Sequence, residues 1–117
     1  MIILYGIPNC DTVRKARKWL TQNEVEYQFH NFKKEGLQQQ LLETWVNALG
    51  WEILLNKRGT TWRKLPDEVK ANIDQDKAIQ IMLDATSIIK RPVLDNNGVL
   101  SVGFKDEQYQ TLFQLTK

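Results

Sequence analysis

Strand, helix and strand follow one another within the first 32 residues, and this order limits the fold more than any composition does. "IILY", residues 2–5, is apolar on both faces and reads as a short, fully buried strand. Gly6 and Pro8 end it. A helix is expected from about Asp11 to Asn23, with Val13, Ala16, Trp19 and Leu20 as its apolar stripe. Arg14, Lys15, Arg17 and Lys18 take the wet side. "VEYQFHNF", residues 25–32, alternates as a second strand, with Val25, Tyr27 and Phe29 on one face. Two strands joined through a crossover helix are expected to run parallel.

The pattern then changes twice. Leu37, Leu41, Trp45 and Leu49 recur at helical spacing, Leu42 and Val46 widen the stripe, and Gly50 is a natural stop. "WEILLNKRG" reads as a helical turn running into a basic loop closed by Gly59. Pro66 stands in the first turn of a further helix, with acids after it. Asp76 is the expected cap of the next, whose buried face is Ile79, Met82 and Leu83. After these helices, "SIIKRPVLD", "NNG" and "VLSVGF" predict a β-hairpin with an Asn-Gly turn. "DEQYQTLFQL" closes the chain as a helix with Tyr109, Leu112 and Phe113 inward. The expected class is α/β: a thioredoxin-like four-stranded mixed sheet, with a helical insertion between its βαβ and ββα halves. It is read as one domain over residues 1–117, the insertion falling at about 37–85.

With 117 residues the chain is long enough to bury a core without disulfides. A net charge of +2 gives no argument for nucleic acid, which is not expected as a partner. One cysteine and one histidine leave no internal disulfide and no expected metal site. No signal-peptide pattern opens the chain, and no apolar run approaches the roughly 20 residues of a membrane span. No membrane association is expected, and the cytoplasm is the expected compartment.

The single cysteine, Cys10, sits in the loop between the first strand and the first helix, between Asn9 and Asp11. A helix start presents unpaired N–H groups and roughly half a positive charge. A thiolate placed there is stabilised against the thiol. Arg14, one turn on, is expected to face the sulfur, and the same N–H cluster can cradle an anionic oxygen. Such a sulfur suits attack on a disulfide or an oxyanion. Position alone also allows a small residue with no chemistry near a helix cap. Without a second cysteine, any redox cycle must take its other sulfur from glutathione or a protein thiol.

"NKRGTTWRKL", residues 56–65, gathers Lys57, Arg58, Arg63 and Lys64 around Gly59 and Trp62. It reads either as a solvated loop or as an anion-binding lip of guanidinium forks. Arg91 precedes Pro92 at a strand start. In a thioredoxin-like layout that proline is expected to be cis, abutting the reactive loop and leaving Arg91 near Cys10. His30, in a strand, reads as a structural histidine.

Together, "LYGIPNCDTVRKARKWL", "ALGWEILLNKRGTTWRKL" and "IIKRPVLDNNGVLSVGF" resemble the arsenate reductase-related (ArsC-like) family of the thioredoxin superfamily. The likeness is nearest to its small YffB-type bacterial subgroup, kin to the Spx regulators. It implies that Cys10 is the catalytic cysteine, which attacks a bound oxyanion and passes through a mixed disulfide. It implies that Arg91 binds that oxyanion. At two positions where true arsenate reductases carry arginine, this chain has Asn56, followed by Lys57 and Arg58, and Val102-Gly103-Phe104. That departure points away from arsenate as natural substrate.

The expected function is therefore a glutathione-dependent thiol reductase with no tightly bound cofactor. Cys10 attacks, Asn9 orients, Arg14 and Arg91 stabilise charge, and Lys57 and Arg58 bind substrate or glutathione. The alternatives are an Spx-like regulator, with RNA polymerase as partner, and a true arsenate reductase.

Overall fold

The computed structural model describes residues 1–113. They form two compact units: residues 1–35 with 91 onward, and residues 36–90.

The first unit is built on a four-stranded mixed sheet of order β2-β1-β3-β4. β1 is Ile2–Gly6, β2 Gln28–Asn31, β3 Val93–Asn96 and β4 Val99–Val102. β1 pairs parallel with β2 and antiparallel with β3, which pairs antiparallel with β4. This is the thioredoxin-like α/β sheet expected from the chain order. Two helices cover one face: α1, Asp11–Gln22, and a C-terminal helix described over Asp106–Phe113. Their apolar sides meet Leu4 and Leu94, partners in register across β1 and β3. Leu4, Ala16, Trp19, Leu20, Leu94 and Tyr109 form the core. Trp19 and Phe104 meet Tyr109 edge-on, at 5.4 and 4.7 Å between ring centroids.

β2 is shorter than its alternation suggests at both ends: it starts at Gln28 rather than Val25, whose N–H goes to the Leu20 carbonyl at 2.9 Å, and it stops at Asn31, which turns the chain. The Asn31 side-chain oxygen accepts the N–H groups of Lys33 and Lys34 at 3.2 Å, opening a one-turn helix α2, Phe32–Glu35. The hairpin turns at Asn97 and Gly98, whose φ values of 54° and 97° are those of the left-handed turn that Asn-Gly favours.

The second unit is helical: α3 Gln39–Leu49, α4 Trp51–Leu54, α5 Thr60–Arg63, α6 Asp67–Ala71 and α7 Gln75–Asp84, then a 3₁₀ turn Thr86–Ile88. Leu42, Trp45 and Val46 of α3, Leu54 of α4, and Ala78, Ile79 and Met82 of α7 are buried. Two expectations need correction here. α7 starts earlier than its pattern suggests: Asp74 is the cap, its carboxylate accepting the Lys77 N–H at 2.9 Å, and Asp76 lies in the first turn. Residues 56–65, read as a loop, contain α5. The Gly59 carbonyl accepts the first helical N–H, that of Arg63, at 3.3 Å. Among the described residues, no helix is long and apolar enough to cross a membrane.

Candidate functional site

β1 ends at Gly6, and the chain turns through Pro8 and Asn9 before α1 starts at Asp11. Cys10 is the residue just outside the helix. Its backbone is extended, with φ −108° and ψ 126°, while its carbonyl already accepts the Arg14 N–H at 2.9 Å. At this position a side chain points back over the N–H groups of the second and third helical residues, here Thr12 and Val13. The half-buried sulfur closes no ordinary capping hydrogen bond, but these two N–H groups act on it as polar donors.

The second half of the site arrives from β3. Arg91 and Pro92 are joined by a cis peptide bond, as expected. The Gly103 N–H donates to the Pro92 carbonyl at 2.8 Å, so the end of the hairpin ties down the loop carrying Arg91. Gly103 adopts φ 83°, a left-handed conformation that glycine reaches without penalty. The Arg91 guanidinium reaches Cys10 and acts on it both as hydrogen-bond donor and as charge. Burial pushes the Cys10 thiol up. The Val13 N–H, the Arg91 guanidinium and the Thr12 N–H pull it down further, and the balance holds the thiol below its ordinary range.

The other expected residues stand as follows. Asn9 is exposed in the turn before the helix. Arg14 differs from expectation: its guanidinium pairs with the Asp11 carboxylate, three residues back on the same helix face, and the charge at the sulfur is that of Arg91. Lys57 and Arg58 lie in the helical unit. The Lys57 ammonium stands over the rings of Trp51 and Trp62, at 5.9 and 5.4 Å from their centroids. The exposed Arg58 donates its backbone N–H to the Asn56 side chain at 3.1 Å. His30 packs its ring against Tyr5, 5.1 Å between centroids, consistent with a structural role. Sequence reasoning passed over Gly103 as a tether; only its hairpin position, ten residues after a strand start, hinted at one.

The ArsC family model matches residues 5–112 of the chain. The chain belongs to the ArsC family. Among solved structures this ArsC-family chain resembles a protein named YFFB, with 46% identity, a TM-score of 0.91, and coverage of 95% of this chain and 97% of that one. An arsenate reductase (ArsC) related protein from Brucella melitensis is 48% identical, with a TM-score of 0.79 over 97% of this chain and 95% of its own. The "Global transcriptional regulator Spx" of Lactiplantibacillus plantarum is 25% identical over 112 residues, which is 92% of this chain and 83% of that protein.

Proposed function

We propose that this ArsC-family protein is a single-cysteine thiol reductase that uses glutathione as its second thiol. The observation that carries this reading is the convergence of the Val13 and Thr12 N–H groups and the Arg91 guanidinium on one sulfur. Donors arranged in advance around a sulfur favour the thiolate, the form that attacks.

In the first step the Cys10 thiolate attacks a mixed disulfide of glutathione and a second thiol. The substrate S–S bond breaks, a Cys10–glutathione bond forms, and the second thiol leaves as its thiolate. A free glutathione thiolate then attacks the glutathione sulfur of that adduct. Glutathione disulfide leaves, and the Cys10 thiolate is restored. Arg91 stabilises the Cys10 thiolate before the first attack and after the second. Asn9, exposed beside the sulfur, orients the incoming group.

A small oxyanion is a weaker substrate than a disulfide on this reading. Of the three residues standing where true arsenate reductases carry an arginine, Phe104 is committed to packing against Tyr109. The test is glutathione-dependent reduction of a mixed-disulfide peptide, with arsenate in parallel. Turnover of the disulfide, lost in Cys10→Ser, supports the reading; full activity in that variant overturns it.

The likeness to Spx favours a second reading, a protein-binding regulator such as one that docks on RNA polymerase. It needs no ionised Cys10. A stoichiometric partner captured equally well by the native chain and by Cys10→Ala, with no turnover by either, favours it over the reductase.

A further inference from the structure

Gly6, the last residue of β1, faces the first turn of α1 across an unusually small gap. A Cβ built on Gly6 would stand 2.8 Å from one methyl of Val13 and 3.2 Å from the other, with the Val13 Cβ itself at 3.6 Å. Ordinary carbon contacts begin near about 3.5 Å. Gly6 has no positive φ to account for its glycine. What the position requires is room.

Val13 is not free to make that room by moving its side chain alone. It is fully buried. It is β-branched, and valine in a helix keeps one strongly preferred rotamer, so both methyls stay directed at β1. A larger residue at position 6 must push the backbone of Val13 outward. Val13 is the third helical residue, and its N–H is the donor that a helix directs onto the residue just outside the helix, Cys10. Moving that N–H by a few tenths of an ångström changes the distance and angle on which such a contact depends.

We propose that Gly6 is a positioning residue for the reactive sulfur. By lacking a side chain it lets the first turn of α1 seat directly on the end of β1, which places the Val13 N–H at Cys10. The partner of Gly6 in this role is the Val13 side chain, which fills the notch and sets the depth at which the helix rests. The inference concerns the same sulfur as the reductase reading. It is measured on the thiol itself, so it stands or falls separately from turnover.

The experiment follows the rate of Cys10 alkylation by iodoacetamide as a function of pH. Four full-length proteins are compared: native, Gly6→Ala, Val13→Ala and the double variant. The expected result for Gly6→Ala is alkylation roughly fivefold slower at pH 6, about the effect of withdrawing one polar N–H donor from the thiolate. The rate at high pH, where every thiol is ionised, stays unchanged, which separates acidity from access. In the double variant the missing methyls leave space for the new Cβ, and the pH 6 rate returns to that of Val13→Ala alone. An unchanged pH 6 rate in folded Gly6→Ala overturns the proposal. If Gly6→Ala does not fold, the double variant decides: equality with Val13→Ala supports the role, and slower alkylation refutes it. A native thiol with ordinary acidity would instead remove the reductase reading.

Discussion

Cys10 and Arg91 come together from opposite ends of the chain, and each makes a different demand on the solvent. The sulfur is half-buried, which alone would favour the neutral thiol. Two backbone N–H groups and a guanidinium reverse that preference. Alkylation of the native protein is therefore expected to titrate with a midpoint below the about 8.5 of a free cysteine. Arg91→Ala should move that midpoint upward, and Arg91→Lys should recover part of it, because an ammonium keeps the charge and loses the planar fork. A midpoint that ignores both substitutions would remove Arg91 from the site. The linkage has a definite sign. A thiol whose acidity is raised by folding stabilises the fold at pH above the unfolded value, about 8.5. That contribution shrinks as pH falls through the folded midpoint. Urea midpoints of native protein and Cys10→Ser should thus converge on acidification from pH 9 to pH 5.

At the scale of elements, caps and turns decide where each segment begins. Asp74 and Asp76 are both acidic and both precede the apolar face of α7, so spacing alone could not choose between them. The carboxylate that meets a free N–H is that of Asp74. Asp74→Ala should cost about 1 kcal/mol in denaturant stability, while Asp76→Ala should cost only the smaller helix-dipole share, about 0.3–1 kcal/mol. Equal losses would contradict the assignment. The Asn-Gly turn was readable because its cause is local. Asn97 and Gly98 need no tertiary help to turn left-handed, and Asp95 adds a side-chain acceptor for the Gly98 N–H at 2.7 Å. Gly98→Ala places a Cβ on a φ of 97° and should cost about 1–2 kcal/mol, read from the thermal midpoint. The short span of β2 was not readable: at its end the Asn31 side chain accepts the N–H groups of Lys33 and Lys34, and at its start the Val25 N–H goes to the Leu20 carbonyl instead of a strand.

At the scale of the whole molecule, Tyr109 lies in the middle of the sheet unit's core. It is fully buried between Trp19 and Phe104, and its hydroxyl has no hydrogen-bond partner among the described residues. Burial pushes its phenol far up. The neutral phenol is favoured by folding, so this stabilisation is full below the unfolded value near about 10 and is lost as pH rises above it. Tyr109→Phe should leave neutral-pH stability equal or slightly higher and should blunt alkaline unfolding above pH 10. A loss at pH 7 of about 1 kcal/mol or more would show that the hydroxyl is bonded. The succession of strands and helices along the chain, the helical insertion, the hairpin and the place of Cys10 were legible in the chain by itself, because apolar period, turn residues and loop position are properties of neighbours along the sequence. The notch between Gly6 and Val13, the tie from Gly103 to Pro92, and the approach of the Arg91 guanidinium to the sulfur were decided by tertiary structure. They depend on how closely β1, α1 and the hairpin approach one another, a distance that packing sets and no local pattern records.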